Sequence, residues 1–171
     1  MPALDLDVKL EGMWNSVLDN VILDGGDVGV HAVSGSRLEL ANVQTLSKQR
    51  GPSRAILIEG GNAHVLRHCR FEGSPPTNPS NVHITLTGGT SDIAIDAASA
   101  EGATELLHLD IDDASMVRVT NPNLGPIRVG RRASRVEILG GSVGGLPPSA
   151  ILPARPAIHV EAGARHGASP G

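Results

Sequence analysis

The sequence predicts an all-β solenoid, in which short strands separated by tight turns coil so that like positions stack. Three observations carry this. Apolar residues alternate in short runs, turn dipeptides cut the runs, and one block recurs along the chain at a nearly constant interval. The runs Leu38-Glu39-Leu40, Ile56-Leu57-Ile58, Val82-His83-Ile84, Ile93-Ala94-Ile95, Val117-Arg118-Val119, Ile127-Arg128-Val129, Val136-Glu137-Ile138 and Ile158-His159-Val160 each start and end apolar. That is the two-residue period of a strand with one buried face. Gly-Gly, Gly-Ser, Asn-Pro and Pro-Pro dipeptides lie between runs and stop a strand quickly. No stretch of ten residues keeps a helical stripe.

The recurring block is Asn20-Val21-Ile22-Leu23-Asp24-Gly25, matched by His68-Cys69-Arg70-Phe71-Glu72-Gly73. Leu40-Ala41-Asn42-Val43-Gln44-Thr45 aligns in turn with Leu66-Arg67-His68-Cys69-Arg70-Phe71, and weaker copies cover 95–100, 119–124 and 138–143. The first apolar position falls at Val17, Leu40, Leu66, Ile95, Val119 and Ile138. These are about 24 residues apart on average, within the solenoid range. A second spacing of about nine residues joins Ile56 to Val65, Ile84 to Ile93, Leu107 to Met116 and Ile127 to Val136. Each unit therefore reads as strand, tight turn, strand and a looser excursion. The excursions at 47–54, 74–80, 98–103 and 144–156 absorb the variation in length, because inserted residues leave a stack on one side without disturbing it.

Stacking at roughly 4.8 Å per coil turns the copies into columns. One interior column is Val17, Leu40, Leu66, Ile95, Val119 and Ile138; a second is Val21, Val43, Cys69, Ala98, Pro122 and Gly141; a third is Leu23, Thr45, Phe71, Ala100, Leu124 and Val143. Cys69 in an inward slot behaves as a small hydrophobe. A turn ladder runs through Asn20, Asn42, His68, Ala97, Asn121 and Gly140, where Asn tolerates the left-handed backbone of a tight turn and its amide can bond along the stack. Residues 1–15, with alternating Leu4, Leu6, Val8 and Leu10, are read as an N-terminal cap or strand over the exposed edge. The Pro-rich stretch 147–156 is read as interrupting or shielding the other end, and 163–171 as a flexible C-terminal tail.

Composition narrows the function classes. The chain has 171 residues, enough for one domain, and 40% of it is apolar, almost all aliphatic, with one Trp, one Phe and no Tyr. Its net charge of −4 and pI near 5.9 argue against nucleic acid or an anionic membrane as an electrostatic partner. A single Cys excludes a disulfide framework. No apolar run approaches the roughly 18 residues of a membrane span. The start, Met-Pro-Ala-Leu-Asp-Leu-Asp, lacks a signal peptide's basic end and apolar core.

The block Leu66-Arg67-His68-Cys69-Arg70-Phe71-Glu72-Gly73 and its relatives are similar to the coil motif of the pectate-lyase-like superfamily: apolar, polar, Asn, Cys or Val, polar, aromatic or aliphatic. That family of right-handed parallel β-helices includes pectate lyases, polygalacturonases and many bacteriophage tailspike domains. The resemblance spans about residues 17–160. It implies a single-stranded right-handed parallel β-helix of about six to seven short coils over 16–162.

Candidate chemistry is sparse. His31, Leu57, His83, His108, Arg128 and His159 are each flanked by apolar residues and are expected to form an outward stripe, a half-polar face or a subunit interface. His83 and His108 would be neighbours on that stripe, but a flat column supplies two ligands where zinc takes three or four, unless three copies complete the set about an axis. No metal or cofactor is expected. Asp110, Asp112 and Asp113 form the acidic cluster, and glycoside hydrolysis needs two carboxylates roughly 5–9.5 Å apart. Of the polygalacturonase blocks only the Asp-Asp pair has a counterpart, Asp112-Asp113; for a lyase-type base Arg118 and Arg128 are the available arginines. The basic patch Arg131-Arg132-Arg135 reads as a solvated turn. Sugar-stacking aromatics are limited to Trp14 and Phe71, the latter expected inside.

The reading that follows is a non-enzymatic structural protein, a virion-associated spike, decoration or fibre component of a phage or phage-like particle. Its expected partners are two further copies in a trimer, other virion proteins and a host-surface glycan. The alternatives are a polysaccharide lyase or glycoside hydrolase of the same fold, acting through Asp110, Asp112 and Asp113, and a glycan-binding module without catalysis.

Overall fold

The computed structural model describes residues 6–24, 27–47, 54–73, 82–101, 107–144 and 156–162. Strands follow one another in threes. The first round holds β1 (Leu6–Glu11), β2 (Trp14–Asp19) and β3 (Ile22–Asp24); the next β4 (Val28–Val33), β5 (Ser36–Ala41) and β6 (Gln44–Ser47). Then come β7 (Arg54–Glu59), β8 (Asn62–Arg67) and β9 (Arg70–Gly73), and β10 (Val82–Thr87), β11 (Thr90–Asp96) and β12 (Ser99–Glu101). These are followed by β13 (Leu107–Ile111), β14 (Ala114–Thr120) and β15 (Asn123–Leu124), then β16 (Ile127–Val129), β17 (Ser134–Leu139) and β18 (Ser142–Val143), and finally β19 (Ile158–Val160). Each strand pairs in parallel with its equivalent in the neighbouring round, giving three sheets of seven, six and six strands. The protein is an all-β parallel solenoid. The described residues contain no helix long and apolar enough to cross a membrane.

Left-handed positions bend the chain from sheet to sheet at two levels in each of the six rounds and at a third, the first corner, in the first four. At the first corner stand Gly12, Ser34, Gly60 and Gly88; within the second sheet Asn15, Arg37, Ala63, Asp92, Met116 and Arg135; at the second corner Asn20, Asn42, His68, Ala97, Asn121 and Gly140, all with positive φ. The second-corner set is the expected turn column. Its backbone amides bond along the stack, Asn20 N–H to Ala41, Asn42 N–H to Arg67 and His68 N–H to Asp96. The side-chain amide of Asn42 donates to Asp19 at 3.0 Å. Gly61 shows why a glycine is needed at the first corner: with φ +84°, a Cβ there would lie 2.0 Å from the Gly35 carbonyl oxygen.

The core is a set of aliphatic columns. In the first sheet Val8, Val30, Ile56, Ile84, Leu109, Ile127 and Ile158 are in register. In the second sheet the column is Leu18, Leu40, Leu66, Ile95, Val119 and Ile138. Leu18 therefore replaces the expected Val17, which pairs with Glu39 and is 66% exposed. One residue of slip reverses a side chain's face. The third-sheet column pairs Leu23 with Thr45, Thr45 with Phe71 and Phe71 with Ala100, then Leu124 with Val143. Cys69 is buried, and burial pushes its thiol up to about 11.

Each round has a third short strand where two had been expected, and Ser99–Glu101, assigned to an excursion, is one of them. Leu6–Glu11, within the segment read as an N-terminal cap or strand, is the first strand of the first sheet. The remainder of the expected cap (1–5), the Pro-rich stretch up to 155 and the tail 163–171 lie outside the described residues.

Candidate functional site

The outward column of the first sheet is Lys9, His31, Leu57, Thr85, Asp110, Arg128 and His159. His31, Leu57, Arg128 and His159 of the expected stripe belong to it. His83 and His108 do not. Thr85 and Asp110 hold the outward places, and both histidines are buried inside, 1% and 6% exposed. The pairing between β10 and β13 joins Val82 to Leu107 and Ile84 to Leu109, passing over His83 and His108. Five consecutive residues of β10 are buried.

Inside, three rings from successive rounds form a stack. His83 lies on Phe71 with centroids 5.2 Å apart and planes 19° apart; His108 meets His83 edge-on at 4.8 Å. The Gly125 N–H donates to Nδ1 of His108 at 2.6 Å, so that nitrogen carries no proton. A Cβ on Gly125 would come within 2.8 Å of the His108 ring. Nε2 of His83 is buried without a hydrogen-bond partner among the described residues. Burial first, and the proximity of His108 second, push His83 down to about 3. Among the described residues no group of three His, Cys, Asp or Glu side chains could hold a metal.

The acidic cluster does assemble, but around arginines. Arg128 forks onto Asp110, Nε to Oδ1 and Nη2 to Oδ2, both at 2.8 Å, and reaches Glu161 through Nη1 at 3.0 Å. Arg132 bonds Asp112 at 2.7 Å and stands 3.7 Å from Asp113, while Arg131 stands 3.6 Å from Glu161. The bond from Asp110 raises the Arg128 guanidinium above its ordinary value, and the bond to Asp112 does the same for the exposed Arg132. Both oxygens of Asp110 are thus occupied by a permanent cation. Of the arginines expected to be solvated, Arg131 and Arg132 reach this cluster while staying exposed, and Arg135, also exposed, stands apart from it. Farther along the same face His31 Nε2 meets Glu59 at 3.1 Å and Lys9 meets Glu11 at 2.9 Å.

A feature of the outer surface that sequence reasoning missed lies on the second sheet. A shallow concavity of about 410 Å³ is lined by Asp92, Ala94, Met116, Arg118, Arg135 and Glu137. Asp92, Met116 and Arg135 share a left-handed column. Arg118 spans to Glu137 at 3.0 Å. The signal was present: Ser36, Asn62, Ser91, Ser115 and Ser134 each precede one of these left-handed residues, a small-polar repeat in phase with the apolar one.

Comparison with protein-family models, curated proteins and solved structures finds no match to this chain.

Proposed function

We propose that the chain is a non-enzymatic structural protein, a spike, decoration or fibre component of a phage or phage-like particle, built as a lateral trimer and presenting its surface to other particle proteins and to a host glycan. The finer kinship, with right-handed pectate-lyase-like helices and tailspike coils in particular, rests on the repeated block around His68 and belongs to this proposal. The observation that carries it is the Asp110–Arg128 fork. The carboxylates best placed for sugar chemistry are engaged by Arg128 and Arg132 in an ion network that spans rounds, joining β13, β16 and the segment after β19. Such a network stiffens a face better than it transfers protons. The one Phe is buried and Trp14 is 70% exposed, so a stacked sugar has a single aromatic platform. Leu57 and Val65 add half-buried apolar area to two outer faces for lateral contacts.

Two measurements test the reading. At high ionic strength, sedimentation equilibrium should return three times the 17.6 kDa chain mass. A polysaccharide panel should release neither reducing ends nor unsaturated uronates. A strict monomer, or sugar release that Asp112→Ala abolishes, overturns the proposal, and the second result installs the hydrolase or lyase in its place.

A further inference from the structure

Three outward columns of the second sheet stand side by side across β2, β5, β8, β11 and β14. The first is Trp14, Ser36, Asn62, Ser91 and Ser115. The left-handed column beside it is Asn15, Arg37, Ala63, Asp92 and Met116, and the third is Val17, Glu39, Val65, Ala94 and Arg118. This face leaves two kinds of side chain without a partner. Among the described residues Arg37 and Asp92 are exposed and make no hydrogen bond or ion pair. Trp14, Val17 and Met116 are large, apolar and exposed. Both sets are spaced evenly about β8. Arg37 on β5 and Asp92 on β11 stand one strand to either side of Ala63, while Trp14 and Val17 on β2 and Met116 on β14 stand two strands to either side. We propose that the second sheets of two copies pack face to face about a twofold axis that runs along β8, with the two stacks pointing in opposite directions.

Register and charge agree on this occupant. A rotation about that axis keeps each residue in its column and exchanges β5 with β11 and β2 with β14. Arg37 of each copy therefore meets Asp92 of the other, so both unpaired charges are satisfied twice over. β2 lies along β14 of the second copy, which brings Trp14 and Val17 down on either side of its Met116, over the concavity between Met116 and Arg118. Indole and thioether attract each other there, and burying all three side chains holds the contact. On the axis itself stand Ala63 and Val65, small enough for the sheets to approach. Arg67 faces its equivalent at the margin, held by Glu39 of its own chain at 2.6 Å and with Asp96 one strand away in each copy. Stacks pointing the same way cannot make this match. Each strand then meets its own equivalent, so Arg37 stays two strands from Asp92 and Trp14 four strands from Met116. Five strands at roughly 4.8 Å and about six residues at roughly 3.3 Å cover about 24 by 20 Å on each copy. That is the size of a weak, reversible contact, isologous and closed on two chains. It goes beyond the lateral trimer. Of the two apolar outer faces it takes that of Val65 and leaves that of Leu57 to the threefold contact.

Charge reversal tests this directly. In sedimentation velocity at low salt the parent should associate beyond its base species, and added salt should return it there. Arg37→Asp alone and Asp92→Arg alone each set like charges together at both ion pairs. Each should stay at the base species at concentrations where the parent associates. An equimolar mixture of the two restores opposite charges at both places and should associate again, as should the double variant Arg37→Asp with Asp92→Arg. Both positions are exposed, and Arg135 already stands in the same left-handed column, so the substitutions leave the fold intact. Trp14 is the one Trp of the chain and reports the contact independently. Its emission should move to the blue as the parent associates and should not move in either single variant. Trp14→Ser, which keeps both charges, should raise the dissociation constant at least about tenfold. A parent that stays at its base species, a single variant that associates like the parent, or a mixture that does not associate overturns the proposal. Each reading compares association with the base species, so it does not depend on whether that species is the trimer.

Discussion

His83 makes the protein's response to acid legible at one residue. Its ring is 1% exposed between Phe71 and His108, and among the described residues the titratable group acting on it is His108. In the unfolded chain it takes a proton near its ordinary value of 6.5, while in the fold it stays neutral down to about 3. The unfolded state therefore binds more protons throughout that window. Stability from this group is complete above the unfolded value and falls as pH drops from 6.5 toward 3, at up to about 1.4 kcal/mol per pH unit. His64, also lowered by burial, adds a slope of the same sign. Urea unfolding of the wild type between pH 7 and 5 should show a falling midpoint, and His83→Phe, which keeps the ring stack, should flatten that limb. An unchanged limb in His83→Phe, with His83→Gln as a second check, would mean that the buried ring does not govern acid sensitivity. The burial itself was not readable from Val82-His83-Ile84, which scans as in, out, in. A cue existed in the equivalents one residue before Ile56, Val30 and Ile127, where Ala55, Gly29 and Pro126 are compact residues. A corner that takes Gly or Ala in one round and His in another is an inward slot whose volume is shared with its neighbours.

At the scale of strands and turns, the fold is built on repeated left-handed residues. A non-glycine residue in that region costs about 1–2 kcal/mol, and Asn relieves part of it through local hydrogen bonding. Ala97, at φ +50°, has neither Asn's side chain nor glycine's freedom, and stands in a column of Asn, His and Gly. Ala97→Gly removes the strain but adds freedom to the unfolded chain, for a net gain of about 0.5–1 kcal/mol. Ala97→Val, branched at a left-handed position, should lose more than that. Thermal midpoints of the two variants should move in opposite directions; a loss in Ala97→Gly would show that the corner is held by packing of the Ala97 methyl. This second-corner column was legible because Asn20, Asn42 and Asn121 announce it two residues after each core Leu, Ile or Val. The same spacing, applied to Asn20, selects Leu18 over Val17, so that register error was avoidable. The left-handed column inside the second sheet was legible only through the small polar residue before each member, because Arg37, Ala63, Met116 and Arg135 themselves have no preference for that backbone. Stacking imposes it, since β2, β5, β8, β11, β14 and β17 must bend at one level for their columns to stay in line.

For the whole molecule, parallel stacking makes stability local along the axis. A round contacts only the rounds above and below it, so an inner round has two neighbours and an end round has one. The second-sheet core column shows the consequence. Leu40, Leu66, Ile95 and Val119 have no more than 0% exposure, whereas Leu18 and Ile138 at its ends are only partly buried. Fully burying such a side chain contributes about 1.5–3 kcal/mol, so a partly covered end position holds its strand with less. Opening should start at the ends, at β2 and at β17 with β19, while β8 and β11 open only when the whole stack does. The Arg128 network, which ties β13 and β16 to Glu161, should keep β16 closed longer than β18 at the same end. Hydrogen exchange followed by mass spectrometry, at a concentration low enough to keep copies apart, reads these openings segment by segment. Amides of β2 and β17 should exchange at least about tenfold faster than those of β8 and β11, equivalent to about 1.4 kcal/mol in opening free energy. Uniform protection from β2 to β17 would mean that the stack opens as a single unit, and that the interfaces between rounds are stronger than the partly covered end columns indicate.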